Sequence, residues 1–194
     1  MITEQRWSIS KDGTKIPYFI VGTKAALTNG NAPTELYGYG GFDVSNKPGY
    51  NGILGKLWLE NGGVYVLANI RGGGEFGPQW HQSAILKNKH KSYEDFISVA
   101  EHLISTKVTT RQKLAISGGS NGGLLVGAVM VKRPDLFNSV VCRVPLLDMM
   151  RYHKLLAGAS WMAEYGDPDQ PEMKKYWSAG AKLEPNTLKV LPRV

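Results

Sequence analysis

The chain has 194 residues, of which 42% are hydrophobic and 20% are charged. This composition is typical of a globular domain of ordinary size and excludes a disordered or fibrous chain. The formal charge of +7 raises the question of a polyanion partner, but lysine and arginine are scattered along the chain. Their densest cluster is "KNKHK" at Lys87–Lys91. We interpret this cluster as a solvated face and expect no nucleic-acid partner.

The single cysteine, Cys142, lies in the apolar stretch "SVVCRV" and is predicted to be a small buried side chain. One cysteine excludes an internal disulfide framework. The N-terminal sequence lacks a basic region followed by an apolar one, and no apolar run approaches the roughly 18 residues of a membrane helix. We therefore expect a cytoplasmic protein with no membrane partner.

The first half of the chain is predicted to alternate between strands and one helix. Two apolar runs around "KDGT" predict an antiparallel hairpin over about residues 6–22. A loop is expected at "KAALTNGNAP", and a strand at "TELYGYGG", although Glu35 is unusual in a buried strand. A helix is predicted for "NGILGKLWLENGG", with its apolar face at Ile53, Leu54, Leu57 and Trp58, followed by a buried strand at "VYVLANI".

The second half continues the alternation. An amphipathic helix is predicted for "SYEDFISVAEHLIST" behind a Ser92 cap, then a strand at "KLAIS", a helix at "NGGLLVGAVMVKR" and a strand at "NSVVCRVPL". The stretch "MMRYHKLLAGASWMAEYG" is expected to be helical. Strands that alternate with helices predict a mostly parallel sheet, so we expect residues 1–194 to form a single α/β domain.

Two glycine-rich loops suggest different chemistries. The earlier loop, "RGGGEFG", places Gly72, Gly74 and Gly77 in the G-x-G-x-x-G spacing of dinucleotide-binding proteins. The pattern is weak, because no clean helix follows it, and because Glu94 and Asp95, about 20 residues on, suit the first turn of a helix anyway. A nucleotide-binding domain is retained only as a remote alternative.

The later loop, Gly118–Gly122, reads "GGSNG" and matches G-x-S-x-G between a predicted strand and helix. This is the nucleophile elbow of α/β-hydrolases, in which neighbouring glycines make room for a strained serine. Ser120 is then exposed at the carboxyl edge of the sheet. The backbone N–H of Asn121, at the start of the helix, is expected to point to where an oxyanion would form.

The segments "YGYGGF", "VLANIRGGGEFG", "ISGGSNGGLLVG", "RPDLF" and "WMAEYGDP" together resemble the peptidase domain of the prolyl oligopeptidase family. The resemblance runs from about Asp12 and fades after about residue 176. It implies an α/β-hydrolase fold and a serine peptidase that hydrolyses short peptides after proline, with no metal or organic cofactor. It also implies that Ser120 is the nucleophile, that Asn121 and Tyr39 are the oxyanion donors, and that Phe42, Trp161 and Tyr165 line a proline pocket.

The family's catalytic acid and histidine follow the serine in later strands, and no residue of this chain matches them. The histidines, His81, His90, His102 and His153, match no catalytic position, and neither do Asp148, Asp167 and Asp169. The family's β-propeller also has no counterpart in the sequence. We therefore expect the chain alone to be weakly active or inactive. The alternatives are a noncatalytic peptide-binding fragment, or one half of a split enzyme that receives Asp and His from a separate C-terminal fragment.

Overall fold

The computed structural model describes residues 1–180 of the chain. Six strands form one sheet in the spatial order β1-β2-β4-β3-β5-β6. Their bounds are Ile2–Ile9 (β1), Lys15–Gly22 (β2), Thr34–Gly38 (β3), Val64–Ala68 (β4), Leu114–Gly119 (β5) and Ser139–Arg143 (β6). The β1–β2 and β2–β4 pairs are antiparallel, and the β4–β3, β3–β5 and β5–β6 pairs are parallel. The predicted hairpin and the mostly parallel sheet are confirmed.

Seven α-helical segments connect or follow these strands in the described chain. They are Lys24–Thr28 (α1), Gly52–Leu54 (α2), Pro78–Gln82 (α3), His90–Ser105 (α4), Asn121–Lys132 (α5), Met162–Tyr165 (α6) and Pro171–Gly180 (α7). A π-helical turn at Gly55–Leu59 extends α2. Short 3-10 turns lie at Leu86–Asn88, Arg111–Lys113, Tyr152–Lys154 and Gly158–Trp161. No helix within residues 1–180 combines the length and apolar character needed to cross a membrane.

The core lies between the sheet and the two long helices, α4 and α5. Phe96 of α4 and Leu125 of α5 are buried against Gly38, at the end of β3. A Cβ atom on Gly38 would lie 2.7 Å from the Phe96 ring and 3.1 Å from Leu125. The glycine therefore allows both helices to approach the strand closely, just before the chain enters the segment that contains Tyr39.

Several local predictions were wrong. The predicted loop after the hairpin contains α1, because the Thr23 side chain accepts a hydrogen bond from the Ala26 N–H and caps a short helix. The predicted apolar face of the α2 region is only half right, since Leu54 and Trp58 are partly buried but Ile53 and Leu57 are 74% and 69% exposed. The segment "MMRYHKLLAGASWMAEYG", predicted to be helical, forms turns and short 3-10 segments, with only α6 as α-helix.

The start of α4 also differs from the prediction. The helix begins at His90, so Ser92 lies within its first turn and cannot be its cap. The buried Ser92 hydroxyl instead donates to the Arg71 carbonyl oxygen at 2.7 Å. Lys89, in the cluster predicted to be solvated, is only 1% exposed, because its side chain points into the protein beside α6.

Candidate active site

Ser120 stands at the turn between β5 and α5, in a backbone conformation that L-residues rarely adopt. Its φ is 56° and its ψ is −117°, and the residue is exposed. The Ser120 N–H donates to the Arg143 carbonyl oxygen at 3.0 Å, which fixes the turn against β6. A Cβ atom on Gly118 would overlap the Gly122 carbonyl group. The glycines therefore permit the tight turn that presents the serine hydroxyl.

Asn121 joins the turn to two other parts of the chain. It is buried, and its side-chain amide donates to the Tyr39 carbonyl oxygen at 2.6 Å. Its side-chain oxygen accepts a hydrogen bond of 2.8 Å from the Tyr165 hydroxyl. Gly41 packs directly on the same amide, since a Cβ there would lie 2.5 Å from the Asn121 Nδ2 atom. The side chain of Asn121 thus holds the main chain at Tyr39, and its own N–H remains at the start of α5.

The Tyr39 phenol is half-buried beside the Ser120 hydroxyl. Burial raises the pKa of Tyr39 above its ordinary value, and the neighbouring Ser120 hydroxyl opposes that shift without cancelling it. The phenol therefore keeps its proton at neutral pH. A protonated hydroxyl at this position can donate a hydrogen bond to an oxygen that carries negative charge.

The three aromatic residues predicted to line a pocket differ in burial. Phe42, which has a φ of 55°, meets Tyr165 edge to face with 5.5 Å between the ring centroids. Tyr165 is fully buried, so its ring supports Phe42 from the interior. Trp161, just before α6, is partly buried against the core. The structure brings Phe42 and Tyr165 together next to Asn121, whereas within residues 1–180 the Trp161 ring stacks on neither of them.

A buried ion pair that the sequence did not indicate lies beneath this region. The Lys89 Nζ atom is 2.6 Å from Glu164 Oε1, and the two side chains are 1% and 3% exposed. The same ammonium donates to the Gly40 carbonyl oxygen at 2.9 Å, and the other carboxylate oxygen of Glu164 is 2.7 Å from His81 Nε2. Burial lowers the pKa of Lys89, and Glu164 opposes this shift. No local pattern distinguishes Lys89 from its solvated neighbours, so sequence reasoning missed it.

The earlier glycine-rich loop is anchored by Arg71. Its guanidinium Nε and NH2 atoms lie 2.9 and 2.6 Å from the two carboxylate oxygens of Asp95, and its NH1 atom lies 2.6 Å from Asp12. The Arg71 N–H also donates to Asp95, at 3.1 Å. Asp95 is thus an internal partner of the loop, and no nucleotide is needed to explain its position.

The glycines of this loop are packed against the protein's own chain. A Cβ atom on Gly72 would overlap the Gly40 carbonyl oxygen, and one on Gly74 would overlap the Asp43 carbonyl oxygen. In a dinucleotide site, such glycines let the backbone approach a pyrophosphate. Here the space is filled by the segment that follows Tyr39, which argues against nucleotide binding at this loop.

Each of the four histidines is hydrogen-bonded away from Ser120. His81 contacts Glu164, His90 contacts the Lys87 carbonyl oxygen, and His102 contacts the Tyr18 hydroxyl. His153 contacts Asp169 at 3.1 Å. Within the described chain, the serine therefore has no hydrogen-bonded imidazole to take its proton.

Among residues 1–180, one group of side chains has the composition of a metal site. The ligand atoms of His153, Asp167 and Asp169 lie within 4.8 Å of one another. The Lys154 ammonium already lies 3.0 Å from Asp169, which places a positive charge against the same carboxylate. We assign no metal to this group. Asp169 is bonded to His153 and Lys154, and Asp167 to the Asp169 N–H, so within residues 1–180 neither carboxylate is hydrogen-bonded to Ser120.

The mostly parallel sheet with flanking helices and a strained serine after β5 define the fold as that of an α/β-hydrolase. The sequence model of the prolyl oligopeptidase family matches residues 54–191. The chain belongs to this family.

Individual relatives agree with this assignment. The chain is 57% identical over 168 residues to an uncharacterized peptidase of Sinorhizobium fredii, covering 87% of this chain and 23% of the relative. It is 45% identical over 176 residues to the prolyl endopeptidase of Elizabethkingia miricola, covering 90% of this chain and 25% of that enzyme. It also superimposes on the post-proline cleaving enzyme of Rickettsia typhi with a TM-score of 0.91 and 49% identity, over 94% of this chain and 26% of the other. The chain thus spans about a quarter of the length of these relatives.

Proposed function

We propose that this chain supplies the nucleophile and the oxyanion site of a serine peptidase that cleaves short peptides after proline. The observation that carries the proposal is the conformation of Ser120, strained at a φ of 56° on a strand-to-helix turn, with the Tyr39 phenol beside it. Strain at one exposed hydroxyl, supported by glycines and by neighbouring donors, is typical of a catalytic site rather than of a structural turn.

In the proposed reaction, Ser120 Oγ attacks the main-chain carbonyl carbon of the substrate proline, and the serine hydroxyl passes its proton to a base. The carbonyl oxygen becomes an oxyanion, which the Asn121 N–H and the Tyr39 hydroxyl stabilise. Each such donor contributes about 3 kcal/mol to lowering the barrier. The C–N bond then breaks, the leaving amine takes the proton, and water hydrolyses the acyl-serine.

An aromatic wall gives this reaction its proposed preference for proline. Phe42 packs on the buried Tyr165 ring, and both Phe42 and Trp161 are only partly buried, so their apolar surface remains accessible to a peptide. A proline ring has no polar group that needs a partner, so an apolar slot binds it by burial and stacking. The proposed partners are therefore short proline-containing peptides. The single cysteine agrees with a proposed cytoplasmic location, where disulfides are rare.

Within residues 1–180, no imidazole is hydrogen-bonded to Ser120, so the described part of the chain supplies no proton acceptor for the reaction. A triad without its base retains only the catalysis of the oxyanion site and of substrate binding, several orders of magnitude below the intact enzyme. We therefore propose that full activity requires an Asp and a His from polypeptide that corresponds to the later part of the relatives. If no such polypeptide joins it, the chain is a noncatalytic peptide-binding protein.

A fluorophosphonate probe, read by mass spectrometry of the labelled peptide, tests this proposal. The chain is incubated alone and with a polypeptide that carries the part of the Rickettsia typhi enzyme beyond the region matched here. Their association is first checked by size-exclusion chromatography. We expect slow labelling of Ser120 alone, labelling at least about tenfold faster in the complex, and none in Ser120→Ala. Absence of labelling at Ser120 in the associated complex would contradict the proposal that Ser120 is the nucleophile. Fast labelling of the chain alone would contradict the proposal that the base comes from another polypeptide.

A further inference from the structure

The buried Lys89–Glu164 pair connects the two segments that carry the proposed donor and the proposed pocket. Lys89 precedes α4, and its ammonium reaches the carbonyl oxygen of Gly40, the residue directly after Tyr39. Glu164 lies in α6, directly before Tyr165. The ammonium also lies 5.5 Å from the centre of the Tyr165 ring. The buried Lys89 ammonium thus contacts both the segment after Tyr39 and helix α6.

The contacts form a closed ring around Tyr39. The Asn121 amide holds the Tyr39 carbonyl oxygen, and Tyr165 holds the Asn121 side-chain oxygen. Tyr165 is covalently linked to Glu164, Glu164 pairs with Lys89, and Lys89 returns to Gly40. Every link is a hydrogen bond of 2.9 Å or less, or a peptide bond. Displacement of any one member therefore changes the position of the main chain at Tyr39.

The segment held by this ring needs such support. Gly40, Phe42 and Asp43 have φ values of 64°, 55° and 57°, and the last two are not glycine. Non-glycine residues in this region are strained and persist only when surrounding contacts enforce the conformation. The Ser92 hydroxyl approaches the Gly40 carbonyl oxygen only to 3.4 Å, so the Lys89 ammonium is its close partner.

Stability alone does not account for a charged pair at this place. Burial removes both charges from water, and apolar replacements of such pairs often leave stability unchanged or increase it. The ammonium does, however, offer several directed donors, and here they meet a carbonyl oxygen and a carboxylate on different segments. An apolar side chain of equal size would fill the space without fixing either segment.

Building on the proposed function, we propose that Lys89 and Glu164 are positioning residues that set the main chain at Tyr39–Gly40, and so hold the Tyr39 hydroxyl against Ser120. They act through Tyr39 and contact no substrate. Their role is to keep the oxyanion donor in place before a peptide binds, since a misplacement of about 1 Å in such a group reduces the rate by up to about a hundredfold.

The test compares two matched double variants of the full chain. Lys89→Met/Glu164→Gln neutralises the buried pair without leaving a lone charge, and its glutamine can still bond His81. Lys87→Met/Glu172→Gln makes the same changes in an exposed pair, whose side chains are 67% and 71% exposed. Folding is checked by circular dichroism and cooperative thermal unfolding. Tyr39 is followed through its ¹³Cζ resonance, assigned with Tyr39→Phe, and Ser120 through its labelling rate in the associated complex.

We expect the buried variant to fold with a displaced Tyr39 resonance and with Ser120 labelling reduced about tenfold. The exposed variant should match the wild type in both measurements. A folded buried variant with the wild-type resonance would overturn the positioning role. If that variant does not fold, Lys89→Arg replaces it, because a planar guanidinium keeps the charge but not the geometry of an ammonium. A wild-type Tyr39 resonance in Lys89→Arg would then overturn the proposal.

The two readouts separate this inference from the proposed function. The Tyr39 resonance requires no chemistry at Ser120. If the wild-type complex is never labelled at Ser120, the proposed function fails, while the resonance still decides whether Lys89 and Glu164 position Tyr39. If labelling occurs but the resonance does not respond to the buried variant, only the positioning role fails.

Discussion

The side-chain amide of Asn121 donates a hydrogen bond of 2.6 Å to the main-chain carbonyl oxygen of Tyr39, which lies 82 residues earlier in the chain. The bond joins the start of α5 to the segment after β3. It places the two proposed oxyanion donors, the Asn121 N–H and the Tyr39 hydroxyl, on elements that are fixed to each other. This amide is therefore one of the contacts that set the relative position of the two donors.

Replacement of Asn121 by aspartate tests this dependence. A carboxylate cannot donate to the Tyr39 carbonyl oxygen, and it places negative charge near the site of the oxyanion. The side chain is buried, so we expect a loss of about 2 kcal/mol in the free energy of unfolding, measured with urea. Asn138→Asp, at an exposed bend before β6, serves as the control and should change stability by less than about 0.5 kcal/mol. Equal effects of the two changes would contradict the role of the amide.

Two adjacent glycines of the elbow should respond very differently to alanine. In Gly118→Ala the new Cβ overlaps the Gly122 carbonyl group, so backbone must move. We expect a loss of about 3 kcal/mol or more in the free energy of unfolding. In Gly119→Ala the nearest atom is Arg143 Cβ, at 3.7 Å, an ordinary contact, and stability should change by less than about 1 kcal/mol. The stabilities of both variants are measured by thermal unfolding. If Gly118→Ala were as stable as the wild type, the close approach of Gly118 to the Gly122 carbonyl group would be contradicted.

The strain at Ser120 predicts that glycine is better tolerated there than alanine. Glycine adopts a φ of 56° without a Cβ penalty, whereas alanine keeps the strain of serine. We expect Ser120→Gly to be more stable than Ser120→Ala by about 1 kcal/mol in chemical denaturation. At the exposed Ser105, in the last turn of α4, the order should reverse, because glycine disfavours a helix. If Ser120→Ala were more stable than Ser120→Gly, the proposed backbone strain at Ser120 would be contradicted.

The Arg71–Asp12 ion pair should stabilise the folded protein at neutral pH, and this stabilisation should be lost at low pH. Arg71 holds the pKa of Asp12 well below its ordinary value of 3.8, so the folded protein binds this proton less readily than the unfolded chain. The contribution is complete above about pH 5 and declines as the pH falls below 4 toward the folded-state pKa. Asp12→Asn should therefore lower the free energy of unfolding by about 1 kcal/mol at pH 7, and the difference from wild type should shrink at pH 3.

Urea denaturation at several pH values measures this difference. Glu60→Gln is the control, since its pair with Lys56 is exposed on both sides and should contribute less than about 0.5 kcal/mol. A difference between wild type and Asp12→Asn that stays constant down to pH 3 would show that the Asp12 carboxylate does not depend on Arg71.

The elbow and the sheet could be predicted from the sequence because their signals are local. The glycines around Ser120 and the apolar runs before and after it lie within one short segment, so their pattern alone indicates a strand, a turn and a helix. The hairpin was equally local, with Asp-Gly between alternating runs. For Tyr39, Phe42, Trp161 and Tyr165 no spacing rule applies, and their roles were inferred from family resemblance.

The supports of the site could not be predicted, because each depends on a partner distant in sequence. Arg71 reaches Asp95 across 24 residues, and Lys89 reaches Glu164 across 75. Lysine in a charged cluster is ordinarily solvated, so the pattern around Lys89 favoured the wrong environment. For Ile53 and Leu57 the error is the opposite one, because their helical spacing predicted burial and both are exposed in the structure.

The burial of Lys89 also makes it a reporter of local opening. Acylating reagents such as N-hydroxysuccinimide esters modify only amines that they can reach, and the Lys87 side chain is 67% exposed whereas that of Lys89 is 1% exposed. Lys89 can therefore be modified only when the segment at Gly40 and helix α6 separate, and the rate of its modification measures how often this local opening occurs. The interior of the proposed site can thus be monitored in the resting protein, without a substrate.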